Sequence, residues 1–106
     1  MIGFGNHLGD GLSLQQIRSE RRYLEGGMQL VVEGEIHNES KGTRQVPDLQ
    51  ITALGPDGNI MQSWRIDAPA ATLDPGASAP FQSAVNTPQG TVTEVNLKFI
   101  EPRHDP

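Results

Sequence analysis

The stretch that decides the fold is "LVVEGEIHNES", residues 30–40. Leu30, Val32, Gly34 and Ile36 share one parity, Val31, Glu33, Glu35 and His37 share the other, and the alternation stops at Asn38. A period of two is that of a strand with one buried and one solvated face. It predicts a strand over 28–37 and raises a question of purpose: two carboxylates and a histidine lie on one face, with a glycine on the other.

Composition extends the strand reading to the whole chain. Its 106 residues suit a single domain, hydrophobic residues are 35%, and 12 Gly with 8 Pro punctuate it throughout. In helix interiors Gly costs about 1 kcal/mol and Pro about 3, whereas a small all-β domain needs a turn every 8–12 residues or so. The net charge of −5 argues against a nucleic-acid partner. Arg18, Arg21 and Arg22 cluster, but Glu20 and Glu25 interrupt them, as on a solvated face rather than an anion site. The absence of cysteine excludes disulfides, zinc-thiolate sites and thiol catalysis. No apolar run approaches the roughly 18 residues of a membrane span. "MIGFGNHLGDG" has neither a basic n-region nor an apolar h-region, so it does not read as a signal peptide.

Residues 1–11 read as a flexible lead-in. Gly3, Gly5 and Gly9 outline a loose nucleotide-binding spacing, but no strand precedes Gly3 to hold it. Residues 12–25, "LSLQQIRSERRYLE", admit two readings. Ser13 with Gln16 forms a capping box, and Leu14, Ile17 and Leu24 share a helical stripe. Alternatively Leu12 and Leu14 alternate, and "EGG" turns a hairpin into the next strand. Beyond the 38–47 loop, strands are predicted over 48–54, 59–66, 79–85 and 91–100. Turns fall at "GPDG", at Asp74, Pro75 and Gly76, and at "NTPQG". The expected core is Leu30, Val32, Ile36, Leu49, Ile51, Ile60, Trp64, Phe81, Val95, Leu97 and Phe99. Six or seven alternating strands fit an all-β, antiparallel two-sheet sandwich of immunoglobulin-like or fibronectin-like architecture over 12–100, with a frayed tail at 101–106.

The order of "GLSLQQIRSERRYLEGGMQLVVEGEIHNES", "VPDLQITALGPDGNIMQSW", "LDPGASAPFQSAV" and "TEVNLKFI" resembles one family over about residues 11 to 100. Its recognisable elements are Gly34, Ile36 and Asn38, Val46-Pro47, Pro56-Asp57-Gly58, Trp64, and Leu73-Asp74-Pro75-Gly76 before Phe81. The chain looks like the domain of unknown function 3426, the C-terminal part of bacterial proteins that often begin with a zinc ribbon and one transmembrane helix. That resemblance implies an extended rather than helical 13–24 and a β-sandwich on the periplasmic side of the inner membrane, with no catalytic residue. It also implies a domain excised from a larger membrane-anchored protein. In physical terms Gly34 leaves room for a bulky neighbour, for which Trp64 is the candidate, and Asn38 closes its strand by bonding local backbone.

Chemistry has one candidate cluster. Glu33, Glu35 and His37 project from one strand face, roughly 7 Å apart in succession. A neighbouring strand would have to add a ligand before they could hold a divalent metal. No G-x-S-x-G elbow accompanies a serine nucleophile, and His7 and His104 lie in the lead-in and the tail. Asn38-Glu39-Ser40 is formally a glycosylation sequon, silent in a bacterial protein. The expected function is therefore a non-catalytic extracytoplasmic interaction module without cofactor. It would contact a bacterial envelope protein through a sheet edge or through the polar loop "NESKGTRQ". The alternatives are a metal-dependent or hydrolytic enzyme centred on Glu33, Glu35 and His37, and a stress-protective sandwich like plant desiccation-related domains.

Overall fold

The computed structural model describes residues 9–86 and 92–102. Eight strands run in order: β1 (Leu12–Leu24), β2 (Gly27–Asn38), β3 (Arg44–Gln45), β4 (Asp48–Leu54), β5 (Ile60–Ile66), β6 (Thr72–Leu73), β7 (Ser78–Asn86) and β8 (Glu94–Ile100). One antiparallel sheet has the order β1-β2-β7 and the other β5-β4-β8, while β3 and β6 pair as a short ribbon. Five of the six longer strands are those predicted from alternation, and β1 is the one that the resemblance, not local pattern, implied. The two-residue strands β3 and β6 are too short to carry a pattern of their own. Among the described residues there is no helix, hence none long and apolar enough to cross a membrane.

Residues 12–24 are extended, and tertiary pairing overrides the local helix signals. β1 pairs with β2 from Leu12↔Asn38 to Leu24↔Gly27, through a turn at Glu25 and Gly26. Gly26 there has φ 98°, which glycine adopts without steric cost. The register slips once, where Gln16 and Ile17 together face Gly34. Gln16 takes φ 54° there, a left-handed conformation found in one type of two-against-one bulge. Two members of the apparent helical stripe part company at the bulge: Leu14 packs against the core, while Ile17 lies over Gly34 and stays 39% exposed.

Two contiguous clusters form the interior. Ile36, Val46, Leu49, Leu73, Ala79 and Phe81 fill one end, and Leu30, Val32, Ile51, Ala53 and Val92 fill the other. Ile66 and Leu97 pack against both, so the two are one core with two lobes. Trp64 closes the β5–β7 side, donating its indole N–H to Ser83 at 2.8 Å across the sheets. On the other side the Arg21 guanidinium donates to the Val92 carbonyl, bringing β1 over the start of β8. Asp48, 4% exposed, accepts from Arg65 at 2.9 Å and from the Ala68 backbone at 2.8 Å, tying β4 to β5 and to the chain beyond it.

Three expectations are corrected. Ile60 is 68% exposed rather than core. Leu54 pairs with Ile60 and Ala53 with Gln62, so Met61 is an extra residue. It turns inward against the second cluster and sends Ile60 to solvent. Trp64 does not cover Gly34 either; the side chains of Ile17 and Phe81 do. A Cβ added at Gly34 would run into Ile17 Cδ1 and stand 3.0 Å from Phe81 Cζ. Finally Val31, on the solvent parity, is only 2% exposed. It sits mid-sheet between Glu20 and Ala84, with the long side chains of Arg18, Glu20 and Glu33 lining the surface around it.

Candidate functional site

The polar stripe of β2 is the first place where chemistry could reside. Glu33, Glu35 and His37 do share the outer face of the first sheet, but each faces different lateral neighbours. Glu33 Oε1 meets Arg18 at 2.8 Å on β1, and its other oxygen accepts from Gln82 at 3.5 Å on β7. His37 Nδ1 lies 2.8 Å from the Ser78 hydroxyl. Glu35 stands between Gln15 and Pro80, neither of which carries charge. Glu33 and Glu35, with Arg18, Pro80 and Gln82, border an open depression of about 430 Å³ beside Gly34, which His37 does not line. The alternating strand thus spreads its three polar groups along a row and spends two of them on cross-strand pairing. Among the described residues no three His, Asp or Glu side chains are arranged to hold a metal ion.

The basic cluster is similarly dispersed. Arg18 pairs with Glu33, Arg22 lies 3.5 Å from Glu20, and Arg21 reaches the Val92 carbonyl from the other face of β1. No common anion pocket results among the described residues. His7 and His104 lie outside the described residues.

The polar loop 38–45 is held from beneath by Asn38. This side chain is 1% exposed and uses all its bonding capacity. Its Nδ2 donates to the carbonyls of Leu73 at 2.8 Å and Gly42 at 2.9 Å. Its Oδ1 accepts from the Ser40 backbone at 2.9 Å and the Ser40 hydroxyl at 2.7 Å. An amide so enclosed is inaccessible to glycosylation whatever its sequon.

Strand edges supply the second candidate surface, because an edge exposes unpaired N–H and C=O groups. Among the described residues four edges flank the two sheets: β1, β7, β5 and β8. β1 is interrupted by the Gln16–Ile17 bulge, and β5 by the bulge at Met61. β7 carries Pro80 mid-strand, which removes a donor. Of the four, only β8 runs without a bulge, proline or glycine, paired with β4 over all seven residues in constant register. Its inner face presents half-buried Val95, Leu97 and Phe99, and its outer face exposed Glu94, Asn96 and Lys98. The sequence carries this signal as an unbroken alternation over 94–100, but which strand lies at an edge is decided by topology.

Fold and surface together define an antiparallel two-sheet β-sandwich in which, among the described residues, one sheet edge has neither bulge nor proline. No family model, curated protein or solved structure matches the chain.

Proposed function

We propose that the domain is a non-catalytic interaction module, docking a protein partner along the β8 edge. The observation that carries this reading is the contrast among the four edges: β7 carries a proline, β5 a bulge, and β1 a bulge followed by the charged run Arg18, Glu20, Arg21 and Arg22, whereas β8 has neither bulge nor proline and a single acid and base. Proteins blunt the edges they must keep unpaired. An edge left straight over seven residues, backed by half-buried Val95, Leu97 and Phe99, suits an extended segment added as a further strand. The backbone would supply affinity, and the alternating side chains specificity.

The module belongs on the periplasmic side of a bacterial inner membrane, with an envelope protein as partner. This location rests on the resemblance of residues 11 to 100 to the domain of unknown function 3426, which also supports membrane association of the whole protein.

A synthetic peptide of alternating valine and threonine is a suitable probe. Titrated into the labelled domain, it should perturb and protect the β8 amides while leaving those of β7 and β1 unaffected. Perturbation confined to residues 33–37, or none anywhere, would overturn the edge reading. Zinc, manganese and nickel test the non-catalytic part. A saturable shift of the His37 ring signals at micromolar metal, abolished by Glu35→Gln, would overturn it.

A further inference from the structure

We propose that the partner at the β8 edge is a second copy of this chain, paired antiparallel about a two-fold axis through Asn96. The inference rests on the reading of β8 as an open edge and names its occupant.

The outer face of β8 reads Glu94, Asn96, Lys98, one acid and one base placed symmetrically about a neutral amide. Antiparallel pairing centred on Asn96 sets Glu94 of each copy opposite Lys98 of the other, twice per dimer. On the inner face the same register sets Val95 opposite Leu97. Neighbouring registers lose this match. Centring on Leu97 puts Lys98 against Asn96 and Glu94 against Ile100. Centring on Lys98 stacks two ammonium groups face to face. Directly opposite charges stabilise a strand pair and like charges destabilise it, so the charge pattern selects one register.

Shape supports the same occupant. Between β1 and the start of β8 runs an open groove of about 480 Å³, floored by Leu30 and Val92 and bordered by Arg21, Tyr23 and Val95. Tyr23 is 78% exposed at its rim. Leu97 of a second copy, opposite Val95, would lie at the mouth of this groove. The two β5-β4-β8 sheets would join into one six-stranded sheet. Because a two-fold contact is isologous, the assembly closes at two copies and leaves no free β8 edge.

Sedimentation of the full chain from micromolar to millimolar concentration tests this, together with charge reversals at exposed positions outside the core. The native chain should dimerise with concentration. Glu94→Lys and Lys98→Glu should each weaken the dimer about tenfold, since each turns two attractive pairs into two repulsive ones. The double variant E94K/K98E should restore it. A chain that stays monomeric throughout overturns the proposal, as does a dimer indifferent to both single reversals or a double variant no tighter than either single. A monomer that still takes up the alternating peptide along β8 sinks the self-pairing and leaves the module reading standing. A chain that does neither sinks both.

Discussion

Asn38 shows how one side chain can terminate a strand and hold the loop beyond it. Its backbone continues the ladder, with the amide donating to Ala77 and the carbonyl accepting from Gly76, both at 2.9 Å. Its side chain meanwhile pins Ser40 and Gly42 below the loop and Leu73 on β6. Asn38→Leu keeps the volume but strands the Leu73 carbonyl and the Ser40 amide. A buried group left without a partner costs about 1–3 kcal/mol, so about 3 kcal/mol of stability should disappear. Urea denaturation measures this, and an unchanged midpoint would mean that water takes over those bonds. Gly34 has a different constraint, namely space. Gly34→Val places its branches against Phe81 and the Gln15 carbonyl, 3.0 and 3.2 Å from the Cβ position, with Ile17 nearer still. Overpacking of this kind costs about 1–3 kcal/mol. Ile17→Ala introduced alongside should recover part of that loss, because Ile17 Cδ1 is the closest atom and the end of a flexible chain.

At the scale of the element, two bulges decide which residues the alternation rule places correctly. Along β2 and β4 no inserted residue shifts the parity, and Leu30, Val32, Ile36, Leu49 and Ile51 are buried as their parity demands, with Val31 the one apolar residue of the opposite parity buried too. Along β1 and β5 an inserted residue shifts the parity, and no local signal marks the insertion: Gln16 and Met61 are not glycine. A sequence rule that assumes regular pairing therefore misplaces Ile60 and takes the bulged β1 for a helix on local grounds. Substitution separates the two parities of β5. Ile60→Thr, at an exposed site, should change stability by less than about 0.5 kcal/mol. Met61→Ala, which removes packing from the second core lobe, should cost about 1–2 kcal/mol, toward the low end for a half-buried methionine. Reversed magnitudes in chemical denaturation would place the bulge elsewhere. The candidate edge was legible only in part. Alternation over 94–100 identifies a strand, but its freedom emerges only when the chain order places β8 outside β4.

For the whole molecule the question is whether two three-stranded sheets behave as one cooperative unit. Among the described residues neither sheet shares a backbone ladder with the other, so side chains couple them. Ile66 and Leu97 of the second sheet pack against both core lobes, and the Trp64 indole bonds Ser83 of the first. Neither lobe can open without exposing the other, which favours two-state unfolding of a domain this small. Trp64, the only tryptophan, reports on the interface between the sheets by fluorescence. Amide signals of Val31 and Val32 report on the first sheet alone. Both probes should follow a single urea transition with the same midpoint. Ser83→Ala, which leaves the indole N–H without its partner, should lower that midpoint by the equivalent of about 1 kcal/mol and move both probes together. A fluorescence transition that precedes the amide transition, in either protein, would mean that the second sheet peels away from the first. The β8 edge would then be presented by a loosely held sheet rather than a rigid one, and a strand docked there would have to order it first.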